Sequence, residues 1–153
     1  MKLIILTVGS LLLLSSGIPQ EPQYLTPLPE RCVAEKISNA PEYRIARVML
    51  TGTRPPEKYL LVSIQPEDFT QEKMTALARQ FSNEFCKETR FGVMIFDDYK
   101  AARFVTYMSP TRELEKAERG FYHIDRKRHE EFIHYSTARG KPRDEIKITL
   151  SKE

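Results

Sequence analysis

The sequence predicts an α+β fold: a single mixed, largely antiparallel sheet of five to six strands, with one main helix over about 69–86 and a second, short helix over about 98–105 packed on one face. Three observations lead there. Met74, Leu77, Ala78, Phe81 and Phe85 recur at i, i+3, i+4, i+7 and i+11, the stripe of a helix that buries one side. Two short apolar runs, 58–64 (KYLLVSI) and 91–96 (FGVMIF), flank that stripe in a β-α-β succession, which pairs the two strands in parallel if they share a sheet. After residue 118, strand-like segments rich in aromatic and β-branched residues alternate with polar turns, the pattern of antiparallel hairpins.

The chain opens on a segment with a different logic. Lys2 supplies a positive charge, 3–14 is an apolar run, and Ser15 and Gly17 place small residues at −3 and −1 of a cleavage point, so 1–17 reads as a secretory signal peptide cut after Gly17. A membrane-spanning helix needs about 20 apolar residues, and this run is interrupted by Thr7, Gly9 and Ser10. Lipid attachment would need a cysteine at the cleavage point, whereas the first one is Cys32. The expectation is an exported protein, periplasmic or extracellular, with no stable membrane span after cleavage.

Pro19, Pro22, Pro27 and Pro29 then favour an extended, polyproline-like chain, and 18–41 reads as a leader ahead of one domain at 42–151. A short helical turn is expected over 32–39, before Pro41. Cys32 and Cys86 admit a single pairing, which an oxidising compartment favours; the alternative is a buried Cys86 and a free Cys32.

Within the domain, 43–51 and 58–64 read as a hairpin around a loop at 52–57 containing Arg54, Pro55 and Pro56. The main helix has two candidate N-caps, Asp68 with Gln71 three residues on, or Thr70 with Phe69 and Met74 as a hydrophobic staple. The nearly continuous apolar run at 91–96 is the signature of a strand covered on both sides, hence central. The short helix follows Asp97 and Asp98. The charged stretch 111–118 fits either a solvated helix or an irregular approach to the next strand. Segments 119–125 and 131–137 form a second hairpin around a polar turn at 126–130, and 145–150, with Ile146, Ile148 and Leu150 alternating, makes a half-buried last strand after the Gly140 and Pro142 turn.

Charge narrows the function classes. The formal net charge is +3, from 24 basic and 21 acidic residues, and removing the signal peptide takes away Lys2 alone. Acidic and basic residues are interspersed, so no basic block points to nucleic acid, and the triplet Arg126, Lys127, Arg128 reads as a solvated turn.

Two constellations could carry chemistry. Asp97 and Asp98 follow a buried strand, where α/β sheets place ligand sites, and the pair could bind a divalent cation or act as acid and base; the same position is also the ordinary N-cap of the next helix. His123, His129 and His134 gather in the second hairpin, and the register expected there sets His123 near Phe132 and His134 near Phe121, so His123, His134 and Asp125 form the candidate metal set. The stretch HEEFIH lacks the i, i+4 spacing of a metalloprotease helix. There is no G-x-S-x-G elbow, no C-x-x-C and no Gly-rich phosphate loop, so no cofactor is implied.

The expected function is therefore a non-catalytic binding module for a protein or glycan partner in the envelope or outside the cell, using aromatic residues and arginines such as Arg44, Arg47 and Arg119 on a sheet face or at hairpin tips. The alternative is a small metal-dependent or acid-base enzyme using Asp97, Asp98 and the hairpin histidines.

Overall fold

A computed structural model of the chain describes residues 26–51, 56–104 and 112–150. The expected signal peptide and Arg54 lie outside the described residues. The elements are β1 (Arg44–Leu50), β2 (Lys58–Ser63), α1 (Gln71–Glu84), β3 (Arg90–Phe96), α2 (Tyr99–Phe104), α3 (Arg112–Ala117), β4 (Glu118–Asp125), β5 (Glu130–Tyr135) and β6 (Ile146–Thr149), with a 3-10 turn at Pro66–Asp68. All six strands form one sheet in the order β1-β2-β3-β4-β5-β6. The single parallel junction is β2 with β3, bridged by α1, and every other pair is antiparallel.

The cap of α1 is Thr70, whose hydroxyl accepts the Lys73 N–H at 3.4 Å. Asp68 is instead a buried carboxylate bonded to Lys73 Nζ at 2.6 Å. The helix lays Met74, Leu77, Ala78, Phe81 and Phe85 on one side of the sheet, against Leu60 and Val62 of β2, Phe91, Val93 and Ile95 of β3, Tyr122 and Ile124 of β4, and Ile133 and Tyr135 of β5. This is the main core.

The second helix does not share that face. Alternation along β2 and β3 sends Leu61, Met94 and Phe96 to the opposite side, where Ala101 and Ala102 of α2, Ala117 of α3 and Ala46 cover them. The reason lies in β3 itself, which is apolar on both sides and needs a cover for each. Alanines suit the task because α2 is short and its backbone must come close to the strands. A bulge between Ile45 and Arg47 lets β1 contribute Ala46 to one face and Val48 to the other.

The leader also differs from expectation over the part that is described. Residues 30–41 form a strap along α1, running antiparallel to it: Cys32 N–H bonds to Glu84 O at 2.7 Å, Ile37 N–H to Gln80 Oε1 at 2.6 Å, and Asn39 Nδ2 to Glu72 Oε1 at 2.7 Å. Pro29, Ala40 and Pro41 are buried. No helix forms over 32–39; the chain is extended to a turn at Ser38 and Asn39, and Asn39 takes a positive φ of 64°. Backbone donors that a helix would use internally are spent on α1 instead. Cys32 and Cys86 are joined, with their Cα atoms 6.1 Å apart, and the bond pins the strap to the end of α1. Among the described residues no helix is long and apolar enough to cross a membrane.

Candidate functional site

At the C-terminal end of β3 the two aspartates part company. Asp98 is the N-cap of α2, accepting the Ala101 N–H on Oδ1 at 2.7 Å. Its neighbour Asp97 is buried and clamped by two arginines. Arg139 Nε donates to both of its carboxylate oxygens, at 2.9 and 2.8 Å, and Arg119 Nη1 lies 3.3 Å from Oδ2.

Arg119 organises this end of the sheet. Its guanidinium sits 3.9 Å over the Phe69 ring and donates to three carbonyls, Pro66 at 3.2 Å, Ser136 at 3.3 Å and Thr137 at 2.6 Å. One buried side chain thus ties β4, the end of β5, the turn before α1 and Asp97. An aspartate held this way is a buried structural counter-charge to two guanidinium groups. Asp98 borders a cavity of about 280 Å³ with Lys100, Glu113 and Arg139.

The second hairpin has the expected register, with His134 opposite Phe121 and His123 opposite Phe132. Both imidazoles lie on the sheet face away from α1, and Phe132 packs against each, with ring centroids 5.2 Å from His123 and 4.8 Å from His134. Asp125 does not join them as a ligand set. Its Oδ1 accepts the backbone N–H groups of Lys127 and Arg128 at 3.1 Å each, closing the turn, and its other oxygen faces Arg90. Among the described residues no group of three or more His, Cys, Asp or Glu side chains is arranged to hold a metal ion. His129 sits at the tip with φ 57°. Arg126 is not a solvated member of its triplet: its Nε and Nη2 donate to Glu88 O and Ser82 O at 3.1 and 2.9 Å, a cation at the end of α1.

The catalytic constellation is not assembled. His134 pairs across β4 with the row of Met94, and Asp98 lies four positions further along the chain, past the end of β3 at Phe96, roughly 13 Å at strand rise.

What the hairpin does build is a strip of aromatic side chains. Strand pairing aligns Tyr59, Gly92, His123, Phe132 and Thr149 in one row across β2 to β6, and Met94, Phe121, His134 and Lys147 in the next. Ring centroids step from Tyr59 to Phe121 at 6.0 Å, Phe121 to His123 at 6.3 Å, then to Phe132 and His134, with successive planes within 37°. Tyr59, Phe121, His123, Phe132 and His134 are all half-buried. Lys147 Nζ lies 4.6 Å from the Phe132 centroid, and the Arg143 guanidinium 5.3 Å from that of Phe121.

Gly92 is what allows this surface. A Cβ there would fall 2.6 Å from Cε1 of Tyr59 and 3.4 Å from Cε2 of Phe121, so the two rings lean over the bare backbone of β3 from either side. The histidines feel the packing. Burial holds the His123 and His134 imidazoles below the ordinary histidine range, Arg90 adding to the effect at His123 and Lys147 at His134. Nε2 of His134 is buried with no hydrogen-bond partner among the described residues.

The strip is half legible in the sequence. Alternation within 119–125 and 131–137 shows that Phe121, His123, Phe132 and His134 share a face, but the arrival of Tyr59 depends on three strand pairings. Arg119 and Arg126 carry no local signal that separates them from surface arginines. Comparison with known proteins finds no matching family model, no matching curated protein and no matching solved structure.

Proposed function

We propose that this protein is an exported, non-catalytic binding module that holds a protein or glycan partner on the aromatic strip of β2 to β5. The observation that carries this is the unbroken run of half-exposed rings from Tyr59 to His134 on the sheet face opposite α1, rimmed by Arg90, Arg143 and Lys147. Aromatic residues and arginine are enriched in binding hot spots, the aromatics because they bury large areas at low conformational cost and arginine because its planar fork offers several donors. The signal-like 1–17 segment and the disulfide support an oxidising destination. The alternative of a metal-dependent or acid-base enzyme has less behind it, since Asp97 is clamped and Asp98 caps a helix.

The test is a paired screen of glycan and protein arrays with the mature chain and a Phe121→Ala/Phe132→Ala variant. Ligands held by the wild type are lost by the variant while its melting temperature stays within a few degrees. Ligands that survive this variant but vanish with Asp98→Ala would favour the catalytic alternative. N-terminal sequencing of the exported protein should begin at Ile18.

A further inference from the structure

We infer that the ligand of the aromatic strip is a linear acidic carbohydrate, and that His123 and His134 make its binding tighten as the pH falls. This inference rests on the strip being a binding surface and goes on to name what it binds.

Charge comes first. Each ion pair around the strip turns its carboxylate inward and its cation outward. Arg90 is 47% exposed against 13% for Glu57 and 8% for Asp125, and Arg143 is 47% exposed against 15% for Glu118. Lys147 is exposed beside the Phe132 ring. A ligand lying on the rings therefore meets the heads of Arg90, Arg143 and Lys147 before the carboxylates that Arg90 and Arg143 pair with; the exposed carboxylates beside the histidines are Glu130 and Asp144.

Shape decides between ligand classes. The rings run over four strands, β2 to β5, so the ends of the strip lie about 14 Å apart across the sheet, while its two rows are only about 7 Å apart. That footprint is far below the roughly 800 Å² that each partner contributes to a stable protein complex. It suits a chain laid across the strands. An extended peptide lying on the rings would find no free backbone groups on β2 to β5, where the N–H and C=O groups are used between strands; peptides that pair with sheets do so at edges, which here means the outer sides of β1 and β6 rather than the rings. A sugar chain rests its C–H faces on the rings and turns its hydroxyls to water, with acidic substituents reaching Arg90, Arg143 and Lys147.

The imidazoles supply the pH dependence. His123 faces Arg90 of β3, Glu57 ahead of β2, Glu130 of β5 and Asp125 on its own strand. His134 faces Lys147 of β6 and, in the loop before it, Arg143 and Asp144. Burial keeps both imidazoles neutral near pH 7 in the free protein. An anionic chain stabilises their protonated forms, so binding takes up protons and strengthens in acid. Because Nε2 of His134 is buried, its charge acts through space rather than by a bond from that atom.

The experiment is calorimetric titration of the mature chain with size-defined oligogalacturonates at pH 5.5 and 7.5. Neutral dextran oligomers, a polyglutamate peptide and oligothymidylate serve as parallel probes. The acidic sugar should bind roughly three- to tenfold tighter at pH 5.5, Lys147→Gln should weaken it several-fold at both pH values, and His123→Asn/His134→Asn should flatten the pH dependence. A wild-type affinity that ignores pH overturns the histidine role even if the histidine variant fails to fold. Equal binding of dextran overturns the acidic class while leaving the strip as a binding surface; tighter binding of the peptide or the oligonucleotide overturns the carbohydrate. No binding of any probe overturns the inference, and the array screen with Phe121→Ala/Phe132→Ala then decides separately whether the strip binds anything.

Discussion

Arg119 and Arg139 share the Asp97 carboxylate but stand in different surroundings, and their substitutions should separate accordingly. The Arg119 side chain is 5% exposed and that of Arg139 51%. Replacing Arg119 by alanine leaves Asp97 to Arg139 but strands three carbonyls and removes the guanidinium packed on Phe69, a loss of about 3–5 kcal/mol; Arg139→Ala takes the bidentate partner from a buried carboxylate but lets water in from its exposed side, and should cost about 1–2 kcal/mol. Urea unfolding of the two variants measures the difference, and equal losses would show that Arg119 is not the organiser. The strip histidines make a second prediction. Their folded-state pKa values lie below the unfolded value near 6.5, so between the two the unfolded chain binds more protons. Stability is full at pH 7.5 and falls as the pH drops through 6.5 toward the folded values. Glu145, held at about 2 chiefly by its hydrogen bond from Lys141, acts in a lower window: its contribution is present above the unfolded carboxylate value and lost as the pH falls toward 2. The melting temperature of wild type should therefore fall relative to that of His123→Asn/His134→Asn as the pH drops from about 7.5 through about 6.5.

Secondary structure shows where local pattern suffices and where it does not. α1 is legible because its stripe, its Thr70 cap and its length agree; Thr70→Ala should cost about 1 kcal/mol in thermal or urea unfolding. α3 is not, because it is a short, highly charged segment with Ala117 buried at its end. The side on which α2 packs follows from β3 being apolar on both faces, which 91–96 already displays, yet it emerges only when that reading is carried through to the helices. The strap is illegible for a different reason. Its prolines look like a linker because what fixes it, Glu84 O, Gln80 Oε1 and Cys86, lies far away in the chain. Two tests belong to these elements. Reducing the disulfide should remove on the order of 4 kcal/mol in the chain-entropy picture, with hydrogen exchange rising first over 30–41 rather than in α1. Gly92→Ala should displace Tyr59 from the strip, visible as a change in tyrosine near-ultraviolet dichroism with the fold retained; an unchanged spectrum would mean that the ring does not depend on that bare backbone.

Taken whole, the molecule gives its two sheet faces different work. One is covered by α1, which the strap lines in turn, and carries stability. The other is divided between the small-residue cover of α2 and α3 at the C-terminal end of β3 and the aromatic strip across β2 to β5. Part of that division is readable in advance, since turn length sets the register that brings His123 and His134 to one face. The rest is not, because Tyr59 and Gly92 enter through pairings across the sheet, and because which member of an ion pair faces water is settled by packing. The most direct measurement is a two-dimensional NMR titration of isotope-labelled residues 18–153 with oligogalacturonate at pH 5.5. Shift changes are predicted to cluster at Tyr59, Gly92, Phe121, His123, Phe132, His134 and Lys147, while Asp97, Asp98 and α1 stay still. Changes centred on Asp98 and the cavity beside Glu113, with the strip unmoved, would contradict the assignment of this face as the binding surface.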